Sequence, residues 1–234
     1  MYGWRARLGI LVPSGILATE PEYGEMTPEG VSCHYHRISF QGGGIDILKK
    51  VEEGLEDATR IISHVHPMAM AMTGTGVSFA GGLGYDQKMI EKMKEINGNL
   101  PTTTTSSSVI DALHRLGVKK ISMAMPYIEE VALAAVKFVE ESGIGVLRKK
   151  WLSESPAYVS QDKIYGLAKE VDSLESEAIF LPCTGWHTID IIEKLEGDLQ
   201  KPVISSNQAT MWNLLRLANI NDKIQGYGQL LSKY

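Results

Sequence analysis

The 234 residues are 44% hydrophobic and 22% charged, with a net charge of −5, an ordinary globular composition that buries a core without disulfides or a metal. That charge, and the lack of any basic run denser than Arg148-Lys149-Lys150, argue against a nucleic-acid partner. Cys33 and Cys183 give no disulfide framework and no segment approaches a membrane span, so a cytoplasmic protein with no membrane association is expected.

Leu8–Val12 reads as a buried strand closed by Pro13, Ser14 and Gly15. Residues 18–30, with Pro21, Gly24, Pro28 and Gly30, read as a surface loop. Val31–Phe40 follows as a strand ended by Gly42-Gly43-Gly44, and residues 45–63 carry apolar side chains at helical spacing. A strand over 68–72 leads into a Gly-rich loop, 74–84, and then a helix that stops at Asn97-Gly98. The hydroxyl run 101–108 has the composition of a linker. Val109, Ile110, Leu113 and Leu116 begin a helix at once, so the run reads as a β-branched strand ending in Ser N-caps. Val118–Met125 is the next strand, closed by Pro126-Tyr127, with a helix over 128–142. A strand near 145–151, a helix near 161–174, the strand before Cys183, a helix near 188–196, the strand 202–205 and a helix over about 208–218 complete the order. The methionines at 68, 70, 72, 123 and 125 fall in strands and are expected in the core.

Strands alternating with helices mean parallel sheets covered on both faces. The order also repeats. Val12-Pro13-Ser14 corresponds to Met125-Pro126-Tyr127, the Gly74 loop to the Cys183 loop, and the run after Leu100 to the run after Lys201. Two pseudo-symmetric α/β halves are therefore expected: residues 1–116, completed by the C-terminal segment 219–234, and residues 117–218. Ligands of open α/β sheets bind beyond the carboxyl ends of the strands. Facing halves would bring Ser14, Gly74, Thr75, Tyr127, Cys183 and Thr184 to one cleft.

Cys183 ends a strand a few residues before a helix, where exposed N–H groups favour a thiolate and would lower the thiol pKa. A free cysteine is more often buried and inert, but the flanking Thr184 and Gly185 and the following helix favour the functional reading. Thr75, Gly76, Thr184 and Gly185 offer hydroxyls and free backbone N–H groups to one anion. Aligning the two loops puts Gly74 on Cys183, so one side has a thiol and its twin has none. His34-Tyr35-His36 and His64-Val65-His66 have ligand-like spacing, but neither set is completed by a carboxylate, so no metal is expected.

Gly74–Phe79, Leu116–Lys120 through Tyr127, Cys183 with its helix, Pro202–Thr210 and Gly226-Tyr227-Gly228 together resemble the aspartate/glutamate racemase superfamily, in its arylmalonate decarboxylase and maleate isomerase branch. The resemblance implies two pseudo-symmetric α/β halves, a site between them and no cofactor. Gly74 stands where the racemases and isomerases carry a first cysteine, as in the decarboxylases. Gly76 and Thr184 depart from the decarboxylase pattern, which has serine and glycine there, and Ser205–Thr210 is closer to the isomerases.

Racemisation needs an acid/base group on each face, whereas decarboxylation leaves an enediolate that takes one proton. The single thiol agrees with the decarboxylase branch, and the resemblance then implies decarboxylation of aryl- or alkenyl-substituted malonates, with Cys183 as proton donor and Tyr127 and Thr75 holding the enediolate. Pro13, Ser14, Gly74, Gly76, Thr184 and Gly185 complete the substrate site, and Phe40 contributes to an apolar wall around the departing carboxylate. The alternatives are a maleate cis–trans isomerase that uses Cys183 as nucleophile, and a dicarboxylate-binding protein without turnover. The partner is a small dicarboxylate, and the chain is a monomer or homodimer.

Overall fold

The computed structural model describes residues 2–39 and 46–234. Apolar runs give β1 (Ala6–Pro13), β2 (Val31–Ile38), β3 (Ala69–Met72) and β4 (Thr102–Thr104), which form one parallel sheet in the order β2-β1-β3-β4. The second sheet is built from β5 (Lys120–Met125), β6 (Gly145–Trp151), β7 (Ala178–Leu181) and β8 (Val203–Ser205). Its order is β6-β5-β7-β8, the same order one repeat later. The fold is thus α/β with two parallel four-stranded sheets. The expected basic strand, β6, lies at an edge, with Arg148, Lys149 and Lys150 in solvent. At an edge, charges also discourage pairing with another chain.

The helices are α1 (Thr19–Met26), α2 (Asp46–Ser63), α3 (Thr75–Gly81), α4 (Tyr85–Asn97), α5 (Thr105–Arg115), α6 (Glu129–Glu141), α7 (Gln161–Val171), α8 (Ile189–Leu199), α9 (Ser206–Leu217) and α10 (Gln229–Lys233). Alternation along β1 divides the core. Leu8, Ile10 and Val12 join a cluster that runs through both halves and includes Met123, Phe180 and Ile204. Leu11 points to the other face, where Met70, Met72, Val51, Leu55 and Met93 pack under α2 and α4. Ser206–Leu215 is buried all round, as expected of a helix enclosed in the core rather than laid on a surface. The rings of Phe79 on α3 and Phe138 on α6 meet at 5.3 Å, which joins the halves along one side.

Several local expectations are corrected. Residues 18–30 are not a surface loop: α1 occupies much of the segment, and Glu22, Tyr23 and Met26 are buried. Pro21 sits in its first turn, where no intrahelical N–H is required. The Gly-rich stretch 74–84 is largely α3, because Val77 and Phe79 gain a buried face; only 82–84 turn. The strand 102–104 is capped by Thr104, whose hydroxyl accepts from Ser107 N, so the serines lie inside α5 rather than at its N-cap. Met68 precedes β3 and is 41% exposed, whereas Met70, Met72, Met123 and Met125 are buried. The Gly42–Gly44 strand end and Phe40 lie outside the described residues.

Candidate active site

In each sheet the chain runs from the first strand to an edge on one side, then crosses to the other side for its third strand. The reversal falls between β1 and β3 and between β5 and β7, the points at which a parallel sheet opens a crevice beyond its carboxyl ends. Pro13 ends β1, and the loops leaving β3, β5 and β7 carry Gly74, Tyr127 and Cys183. They converge on a cavity of about 440 Å³ lined among others by Pro13, Gly74, Thr75, Gly76, Tyr127, Cys183 and Thr184. Ile16, Val77, Ala80, Ile128, Val131 and Ala134 give it apolar walls, and among the described residues no Lys, Arg or His lines it.

Two other expected residues are placed differently. Ser14 does not line the cavity; its N–H donates to Ile38 O and its carbonyl accepts from Arg37. Gly185 is buried beside the lining, with its N 3.4 Å from Cys183 Sγ and its Cα facing Pro156 and Ile16.

The pairing of Gly74 with Cys183 extends to the backbone. Gly74 has φ 111° and Cys183 has φ 121°, a region that costs a non-glycine residue about 1–3 kcal/mol. Both residues take a positive φ, and only one carries a side chain there.

The thiol is not at a helix N-terminus, which corrects the expected pKa. Cys183–Trp186 form a turn, closed by Trp186 N donating to Cys183 O, and α8 begins only at Ile189. Two N–H groups at the start of α8, those of the N-cap Thr188 and of Ile189, are taken by the buried carboxylate of Glu22. Burial pushes the Cys183 thiol up to about 11, against the opposing pull of the Gly185 N–H, Tyr127 and the Trp186 N–H, with Glu22 adding to the rise. Cys183 is therefore a protonated thiol at neutral pH.

Tyr127 presents a buried hydroxyl with no hydrogen-bond partner among the described residues. Burial and then the neighbouring Cys183 hold its phenol well above the ordinary value, with Thr75 pulling the other way. The Thr75 hydroxyl lies 2.7 Å from Ser206 Oγ, and Ser206 Oγ accepts from Cys183 N at 3.0 Å. One step further back, Asn207 Nδ2 donates to the Thr184 carbonyl at 3.1 Å and also to Glu22. Thr19 Oγ1 donates to the same carbonyl at 3.3 Å.

A protonated thiol, an unpartnered phenol and a threonine hydroxyl thus face one mostly apolar cavity. The arrangement can hold an oxyanion with neutral donors and deliver one proton from one side. Sequence reasoning missed Ser206, Asn207, Thr19 and Glu22 as members of this constellation. The first two lie in a run whose resemblance was noticed, while nothing in the polar segment around Glu22 marks it as buried. Among the described residues, no three His, Cys, Asp or Glu side chains come together as a metal site.

A family model described as arylmalonate decarboxylase matches residues 8–231. Arylmalonate decarboxylase of Bordetella bronchiseptica is 28% identical over 97% of this chain and 96% of its own length. A crystal structure of arylmalonate decarboxylase superposes with a TM-score of 0.85 at 27% identity, covering 97% of this chain and 100% of that one. Maleate isomerase from Pseudomonas putida S16, solved with maleate, superposes with a TM-score of 0.92 at 22% identity, covering 97% of each chain.

Proposed function

This chain belongs to the arylmalonate decarboxylase family, and from that premise we propose that it decarboxylates substituted malonates with Cys183 as its single proton donor. The observation that carries the reading is the asymmetry of the twin loops: the same positive φ bears a thiol at Cys183 and no side chain at Gly74. A thiol on one side only supplies one proton to one face of a planar intermediate.

In the proposed reaction the bond from the α-carbon to one carboxylate breaks. Its electron pair stays on the substrate as an enediolate, and carbon dioxide leaves. The Cys183 proton then moves to the α-carbon, and the thiolate regains a proton from water. Apolar walls at Val77, Ala80, Val131 and Ala134 favour loss of a charged carboxylate as a neutral gas. The remaining carboxylate gains charge as the bond breaks, and the Thr75 and Tyr127 hydroxyls support it; losing one such donor typically costs about 10²–10³ in rate. A raised thiol pKa suits an acid better than a nucleophile, since the attacking species would be the thiolate.

The test is incubation with a panel of aryl- and alkenylmalonates and with maleate, following carbon dioxide and fumarate together. Carbon dioxide from a substituted malonate supports the proposal. Fumarate without carbon dioxide would make the chain an isomerase, and binding without either product would make it a dicarboxylate binder.

A further inference from the structure

Behind the cavity, the hydrogen bonds of Ser206 favour one direction of proton donation. Ser206 is fully buried, and its hydroxyl has one proton to give. The Oγ already accepts from the Cys183 N–H at 3.0 Å. Its one remaining side-chain neighbour within hydrogen-bond range among the described residues is Thr75 Oγ1 at 2.7 Å. If Thr75 donated to Ser206, the Ser206 proton would be left buried without an acceptor, which costs about 1–3 kcal/mol where no water can reach. The lower-energy order runs the other way: Cys183 N–H to Ser206, and Ser206 O–H to Thr75. The Thr75 oxygen is then an acceptor on its Ser206 side, and its own proton is left for the cavity side, which Thr75 lines together with the Tyr127 phenol.

We propose that Ser206 is a positioning residue: by accepting from the Cys183 amide and donating to Thr75, it makes the Thr75 hydroxyl an obligatory donor to substrate oxygen. It also ties the thiol-bearing loop of one half to the hydroxyl-bearing helix of the other through one atom. The proton donor and the oxyanion donor are thereby held in fixed relation. The inference rests on the proposed reading only for its catalytic consequence; the order of protons is a property of the free protein.

Two measurements test it. Neutron diffraction from deuterium-exchanged crystals of the wild-type protein should place the Ser206 deuteron on the line to Thr75 Oγ1, with the Thr75 deuteron directed at the cavity. A deuteron on Thr75 pointing at Ser206 would overturn the proposal. The second is a double-mutant cycle on carbon dioxide release from phenylmalonate. Ser206→Ala should lower kcat about tenfold or more with KM changed less than about threefold, because the donor it orients matters most once charge has developed. In a Thr75→Val background the same change should cost less than about threefold, since there is no hydroxyl left to orient. Equal losses in both backgrounds would reduce Ser206 to a structural residue. Thermal midpoints of all variants identify any that has failed to fold. A wild-type protein inactive on both phenylmalonate and maleate would defeat the proposed function, while the neutron map would still decide the proton order.

Discussion

Cys183 combines a strained backbone, a nearly fully buried side chain and a raised pKa, and each of these has a measurable consequence. At φ 121° a Cβ is unfavourable, and alanine keeps that strain while losing the sulfur contacts. Cys183→Gly is therefore expected to melt higher than Cys183→Ala, by about 1 kcal/mol in stability; an alanine variant that is the more stable of the two would mean the left-handed turn carries no strain. Both variants should lose turnover yet bind phenylmalonate about as tightly as wild type in calorimetric titration, because the anion's donors lie elsewhere. Near-wild-type turnover in either variant would remove the thiol from the chemistry. Tyr127 has a buried hydroxyl beside Cys183 and Thr75, and Tyr127→Phe removes that donor from the cavity. It should lower kcat by about 10²-fold and disturb KM little; a change confined to KM would make the phenol a ground-state contact.

At the scale of elements, α1 acts through Glu22 as a cap supplied from outside to α8. Its carboxylate accepts from Thr188 N and Ile189 N and holds Asn207 at the start of α9. The carboxylate is thus shared by three helices that meet behind the Cys183 loop. Burial pushes Glu22 up from 4.5 to about 7, opposed by the Thr188, Asn207 and Ile189 hydrogen bonds and by His187. A carboxyl whose pKa is higher folded than unfolded binds more protons in the native state. Its contribution is complete below about pH 4.5 and is lost as the pH rises through 7, an effect of about 3 kcal/mol at most. The thermal midpoint of wild type should therefore fall more between pH 5 and pH 8 than that of Glu22→Gln, which cannot titrate. Parallel pH profiles for the two proteins would show that the carboxylate is not protonated in the folded state.

The whole molecule is one supersecondary plan used twice, with the order β2-β1-β3-β4 repeated as β6-β5-β7-β8. Twin loops face each other because the switch points of two similar sheets are opposed across a shared core. Gly74→Cys tests that relation. A cysteine there adopts the backbone already imposed on Cys183, and its Cβ would meet Pro13 Cγ at 3.0 Å and Val77 Cγ2 at 3.5 Å. A small adjustment of the Pro13 ring would admit it, at a cost of about 1–3 kcal/mol. Two opposed thiols can remove a proton from one face of an α-aryl acid and return it on the other. The folded variant should slowly racemise enantiopure 2-arylpropionate and incorporate deuterium at the α-carbon, while wild type should do neither. A well-folded variant that leaves the acid unexchanged in deuterated buffer would break the pairing of the two loops across the cleft.

Much of this was set by sequence pattern, for a physical reason. Apolar runs and helical spacing report which side chains leave water, so the alternation of strands and helices was legible, as was its recurrence around Gly74 and Cys183. Cys183, Thr75 and Tyr127 stood out because they lie just past buried strands, where a parallel sheet must open. Burial of a polar segment has no such local signature. Glu22 sits among Pro21 and Gly24 and is drawn inside only because one helix end and a side-chain amide from distant segments supply its hydrogen bonds. The same contact changed the expectation for the thiol: proximity to a helix in sequence suggested a lowered pKa, but Glu22 already occupies that helix end and burial outweighs the N–H groups that remain. Sequence determined which residues end the strands; the electrostatic state of those residues depends on what the rest of the chain packs around them, and only the tertiary structure decides that.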